Sequence, residues 1–83
     1  MHPLSLRLSN KEGKSQFIVI VSKKIDKRAV ARNRIRRLIR EVLRRTLPGG
    51  FVITCIVKQN IAEYSYKEVK TIIKNLLHEK NIS

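Results

Sequence analysis

Residues 23–45 read KKIDKRAVARNRIRRLIREVLRR, and the fold turns on how this stretch is read. Eight arginines stand between Arg28 and Arg45, yet Ala31, Ile35, Leu38, Ile39, Val42 and Leu43 recur at spacings of three and four. At about 100° per residue, that spacing gathers the apolar side chains on one face of a helix. Asn33, Arg37, Arg40 and Arg44 fall on the opposite face. Arg34 and Arg45 fall on one flank, with Glu41 between them and the back of the helix, and Arg32 and Arg36 fall on the other. One acid among so many bases leaves the surface positive. The stripe belongs to a core, and the arginines face a polyanion.

Upstream, residues 22–28 are too polar to continue a sheet, and Asp26 is a start signal for the helix. Residues 16–22 (QFIVIVS) are rich in β-branched residues and predict a strand. Phe17, Val19 and Val21 point one way, Ile18, Ile20 and Ser22 the other. Two readings fit such a strand: it is central and covered on both sides, or one face is open as a groove for an extended nucleic acid. Residues 4–9 alternate Leu4, Leu6 and Leu8 with Ser5, Arg7 and Ser9, the pattern of a half-buried strand. Residues 10–13 carry turn chemistry, with Gly13 free to take positive φ. The short link predicts an antiparallel hairpin between the first two strands.

Downstream, Pro48, Gly49 and Gly50 end the helix. Residues 51–58 (FVITCIVK) predict a third strand, and the helix between it and the second implies a β-α-β unit with a parallel pair. Residues 59–64 form a connector. Ser65 and Glu68 then read as a capping box opening a helix over 65–79, with Val69, Ile72, Ile73, Leu76 and Leu77 as its stripe and fraying by Lys80 or Asn81. The predicted order is β-β-α-β-α: an α+β two-layer sandwich in which a small mixed sheet takes the apolar faces of two helices. Residues 1–83 make one domain, with no repeat or linker.

Nineteen Lys and Arg against six Asp and Glu give a net charge of +13, the balance of a nucleic-acid binder. With 42% hydrophobic residues the chain can fold, so the charge does not signal disorder. Both apolar stripes are needed for the core, which argues against a membrane-surface role. Cys55 is the one cysteine, excluding an internal disulfide, suiting a reducing compartment and reading as a small buried hydrophobe. No run approaches the ~20 apolar residues of a membrane span, and MHPLSLRL lacks a signal-peptide core. A cytoplasmic location is expected.

Catalytic constellations are nearly absent. His2 and His78 lie near opposite ends, without the spacing partners of a metal site. Glu12, Asp26, Glu41, Glu63, Glu68 and Glu79 are dispersed, and no pair has the short spacing of a two-metal centre. Glu41, among Arg37, Arg40, Arg44 and Arg45, reads as an intrahelical ion pair. An autonomous nuclease is not indicated, and any catalysis must come mostly from a partner. A DNA-reading helix is disfavoured too, since only Asn33 suits base edges and no companion helix precedes it.

The motif IVIVSKKIDKR followed by AVARNRIRRLIRE resembles the signature of the bacterial ribonuclease P protein component. Ser22, Lys23 and Lys24 close the strand, and Arg32, Asn33 and Arg34 open the helix, with seven residues between the two groups. The likeness continues through the third strand and last helix. It implies a ribosomal protein S5 domain 2-like fold with a left-handed β-α-β crossover, against the right-handed habit of about 98% of such connections. It implies a protein subunit that is not itself catalytic, serving an RNA that removes the 5′ leader from precursor tRNA. Carried over, Arg32, Asn33, Arg34, Arg36, Arg37 and Arg40 would contact the catalytic RNA, and Lys23, Lys24, Lys27 and Arg28 would extend the patch. No metal or cofactor is expected on the protein alone, and Mg2+ is expected in the RNA–protein complex. Members usually carry a further N-terminal helix and small residues where Ile18 and Ile20 stand, so the chain reads as either a naturally short member or a fragment, and the match for binding the catalytic RNA is intact while that for leader binding is not. The alternative is a non-enzymatic RNA-binding module such as a small ribosomal protein. Tyr64 and Tyr66 are expected to pack at the helix edge rather than stack on bases.

Overall fold

The computed structural model describes residues 3–10, 16–46 and 51–79. Over these the elements run β1 (Leu4–Asn10), β2 (Gln16–Ile20), α1 (Ala29–Thr46), β3 (Phe51–Val57) and α2 (Tyr66–Glu79), the expected order. The rest of the turn after Asn10 with Gly13, the stop at Pro48, Gly49 and Gly50, and the fraying at Lys80 and Asn81 lie outside the described residues.

The sheet corrects one expectation. β1 and β2 do not pair as a hairpin; the strand order is β1-β3-β2, with β3 between them. β3 is antiparallel to β1 and parallel to β2. The chain does reverse direction between β1 and β2, as a short link requires, but the two strands stand one strand apart. That spacing is about 10 Å, and the five intervening residues can reach on the order of 15 Å. A five-residue link therefore permits either a pair or a gap. The gap places β3, apolar at nearly every position, where both its edges are bonded. β1, with its polar alternation, is left at an edge.

One face of this sheet is buried. Leu4 and Leu6 of β1, Ile53, Cys55 and Val57 of β3, and Val19 of β2 point into the core. Phe17 and Leu8 pack partly against it. α1 lies along β2, α2 along β1, and the helices meet each other. Ala31, Ile35, Ile39, Val42 and Leu43 of α1 and Val69, Ile73, Leu76 and Leu77 of α2 fill the second layer. The connector contributes Ile61 and Ala62, both buried. Burial pushes the Cys55 thiol up to about 12, so it stays an uncharged core residue. Leu38 and Ile72, read as core from periodicity, are only half-buried at the rims of their stripes.

That difference sets a test. Ile35→Ala removes a side chain with no exposure and should cost about 2–5 kcal/mol, as deep large-to-small changes do. Leu38→Ala, at the rim, should cost less than about 2 kcal/mol, below the range for deep sites. Denaturant titration of both variants decides it; equal losses would mean that Leu38 is packed as deeply as Ile35.

Candidate nucleic-acid interface

α1 is positioned by its own first turn and by a brace from a distant loop. The Ile25 N–H donates to the Ser22 carbonyl at 3.0 Å, folding the chain back after β2, and the Arg32 N–H donates to the Arg28 carbonyl at 3.1 Å, starting the helix. Asp26 binds both sides of this turn. It accepts from the Arg28 backbone N–H at 2.9 Å, from Arg28 Nε at 3.1 Å and from Arg28 Nη2 at 2.9 Å. Asn60, in the connector after β3, donates Nδ2–H to the same carboxylate at 3.0 Å, and its Oδ1 accepts from the Ala62 N–H at 3.0 Å. The Arg28 side chain above all, then its backbone N–H and Asn60, hold the Asp26 carboxyl well below its usual 3.8. The same partner raises Arg28 above its ordinary value. The loop that starts the arginine helix is thus tied to the loop that starts α2.

The charged side chains distribute as the helical spacing predicts. Asn33, Arg37, Arg40 and Arg44 are exposed on the outer face of α1. Arg36 turns to the β2 side, donating from Nη2 to the Val21 carbonyl at 3.5 Å and from Nη1 to Asn33 Oδ1 at 3.0 Å. This uses the amide oxygen of Asn33 and leaves its NH2 to offer an outside acceptor. Arg32, on the same flank, is half-buried, and its Nε is buried with no partner among the described residues. Lys23, Lys24 and Lys27 are exposed on the loop beside that flank. Arg28, although paired with Asp26, keeps 72% of its side chain exposed. On the opposite flank Arg45 Nη2 meets Glu41 Oε1 at 2.9 Å and Arg44 Nη2 meets Glu41 Oε2 at 3.9 Å. Arg34, Arg37 and Arg40 have no ion pair among the described residues.

Two further surfaces are exposed. The outer side of the sheet carries the rows Arg7–Thr54–Ile18 and Ser5–Ile56–Ile20. Ile18 and Ile20 are 38% and 48% exposed, so β2 is not a strand covered on both sides: among the described residues this face is open. Between α1 and the start of α2 lies a groove of about 300 Å³ lined by Arg34, Arg37, Leu38, Glu41, Tyr64 and Tyr66. Ser65 caps α2 there, its Oγ accepting from the Glu68 N–H at 3.2 Å while Glu68 Oε1 accepts from the Ser65 N–H at 3.2 Å, the predicted capping box. Asn60 and the placing of Arg45 over Tyr66, 5.8 Å from the ring centroid, escaped the sequence reading. Neither has a local signal, since Asn60 and Asp26 are 34 residues apart.

The family model described as Ribonuclease P matches residues 2–81. The ribonuclease P protein component of Microcystis aeruginosa (strain NIES-843 / IAM M-2473) is 38% identical over 73 residues, which cover 84% of this chain and 61% of that protein. That of Clostridioides difficile (strain 630) is 36% identical over 80 residues, 92% of this chain and 69% of the other. The chain therefore spans about three fifths of the first relative and about two thirds of the second. Among solved structures, the RNase P protein from Thermotoga maritima superposes with a TM-score of 0.75 at 25% identity, covering 96% of this chain and 77% of that one.

The Asp26 brace has a pH signature. Its folded pKa is depressed, so the stability it contributes is present above about 3.8 and is lost as pH falls from there toward the folded value. Asp26→Asn should therefore be less stable than the parent by a constant margin between about pH 5 and 7, a margin that narrows below the ordinary carboxylate range. Unfolding measured across that range checks this; a margin that stays constant through the acid limb would show that the charge of Asp26 contributes nothing.

Proposed function

The chain belongs to the ribonuclease P protein family, and from that premise we propose that it is the protein subunit of ribonuclease P, binding the catalytic RNA and assisting removal of the 5′ leader from precursor tRNA. The observation that carries this reading is the outer face of α1. Arg37 and Arg40 stand exposed and, among the described residues, without an acidic partner, on a helix whose other face is committed to the core.

In this reading Arg37, Arg40 and Arg34 contact phosphates of the catalytic RNA, where a planar guanidinium can bridge two oxygens. Asn33 donates its NH2 to a base or ribose acceptor while Arg36 holds it in place. Arg32 reaches the same RNA past the β2 flank, and Lys23, Lys24, Lys27 and Arg28 extend the contact along the loop. The open sheet face takes the leader as an extended strand, with Ile18 and Ile20 against base faces and Arg7 across the sheet at a phosphate. The bulk of the two isoleucines alters the floor of that groove without closing it. Chemistry belongs to the RNA and its Mg2+ ions. The protein supplies fixed positive charge, which lowers the repulsion between substrate, catalyst and the ions between them.

Two measurements test this. Arg37→Ala and Arg40→Ala should leave the melting transition within about 0.5 kcal/mol of the parent and weaken binding to the catalytic RNA, with single-turnover cleavage of precursor tRNA falling in step. RNA alone at high magnesium should cut regardless of either variant. An arginine variant that binds normally yet abolishes cleavage would place catalysis in the protein.

Salt gives the second. If about six phosphates are neutralised, log affinity should fall against log salt with a slope of about −4 to −5, and each arginine removed should lower that slope by about one. A slope near zero would point to an apolar interface.

A further inference from the structure

We propose that the groove between α1 and the start of α2 binds one unpaired RNA nucleotide, its base against Tyr64 and Tyr66 and its phosphates at Arg34 and Arg37. The inference rests on the RNA-binding role of α1 and names a site on it separate from the sheet face.

Four observations carry it. The groove, at about 300 Å³, sits at the small end of ligand clefts, which run from about 300 to 1,000 Å³. It can hold one nucleotide and not a duplex. Its walls differ in chemistry: α1 gives Arg34 and Arg37, and the turn into α2 gives two aromatic rings with Leu38 between the walls. Phosphate contact alone has no use for the rings. Paired with guanidinium groups that have no ion pair among the described residues, they are what an unstacked base requires.

The rings are also held before any ligand arrives. The Tyr64 N–H donates to the Ile61 carbonyl at 3.0 Å, and Tyr66 follows the Ser65 cap directly. Both rings pack partly on the core, so each keeps an outer part in the groove. Arg45 lies over Tyr66 and is itself fixed by Glu41 at 2.9 Å, which occupies the one acid of the groove. A base placed against Tyr66 would extend an existing stack of guanidinium on aromatic ring.

The groove is continuous with the proposed RNA face, because Arg34 and Arg37 belong to both. On its other side Tyr64 lines a second cleft with Arg28, Asn60 and Glu63, where the exposed Arg28 guanidinium stands beside one carboxylate. A strand leaving the groove there would meet the Arg28 guanidinium, so the nucleotide is bound within a path and not in a dead end.

The chain has two tyrosines and no tryptophan; both line this groove and Tyr64 also lines the second cleft, so emission is read in the parent and in Tyr64→Leu, where Tyr66 alone reports on the groove. The full chain is titrated at low salt with pentaadenylate RNA and with an abasic chain of equal length, with free tyrosine correcting for absorbance. Pentaadenylate should quench the emission and the abasic chain should not, although the latter still binds in a filter assay. Equal quenching by both, or binding of pentaadenylate without quenching, overturns the proposal. So does quenching by oligoglutamate in place of RNA, which would make the groove a peptide site. In parallel, Tyr64→Leu and Tyr66→Leu preserve apolar packing, checked by melting, and should each weaken binding of the catalytic RNA by about tenfold, within the range for one lost base stack. Folded variants that bind that RNA as the parent does refute the groove and leave the subunit reading intact. A parent chain that does not bind the RNA refutes the reading beneath it.

Discussion

Burial of one side of β3 beneath both helices is the constraint on which the other features depend. Ile53 and Cys55 have no exposure, and β3 is bonded along both edges. With so short a chain there is apolar surface for one such layer and no more. α1 and α2 must therefore share one side of the sheet, which directs the back of α1 and the far side of the sheet outward. The surfaces proposed for RNA are what remains once the core is satisfied. Charge on them can be high because it is not asked to stabilise the fold.

The second requirement is that the two helices start from fixed points. Asp26 and Asn60 meet this by joining the turn before α1 to the turn before α2. A carboxylate accepting several hydrogen bonds is a stiff junction, and charge-assisted bonds are the stronger kind. Arg28 takes part while most of its side chain stays in solvent. The residue that orders the helix start thus remains open to solvent, and ordering the arginines in advance would lower the entropy lost on binding the proposed RNA partner.

How much of this could be read beforehand follows from the range of each signal. Helical periodicity is local, so the stripe on α1, its arginine face and the two flanks were legible, as was the capping box at Ser65 and Glu68. The open face of β2 was one of two readings that sequence left standing, because Ile18 and Ile20 look the same in a covered strand and in an exposed one. Pairing of β1 with β3 was not legible, since a five-residue link fits both arrangements. Asn60 and the place of Tyr64 and Tyr66 beside α1 were hidden for a related reason. Their partners are far away in sequence, and only the closed fold brings them together. The half-burial of Leu38 belongs here too: periodicity gives the direction of a side chain but not what stands opposite it.

The few acids clarify why the positive charge is left uncancelled. Asp26 is taken up by Arg28 and Asn60, Glu41 by Arg45 and Arg44, and Glu68 by the cap of α2. Each of these carboxylates fixes a position in the fold, at a helix start or across one turn of α1. None of them neutralises Arg34, Arg37 or Arg40 among the described residues. Random placement of the same acids along α1 would have formed i,i+4 pairs on its outer face, each adding only a few tenths of a kcal/mol to the helix. It would also have cancelled, one by one, the groups proposed to meet phosphate. These three carboxylates set geometry and leave Arg34, Arg37 and Arg40 uncancelled among the described residues, so in the proposed reading the RNA supplies the counter-charge that they do not.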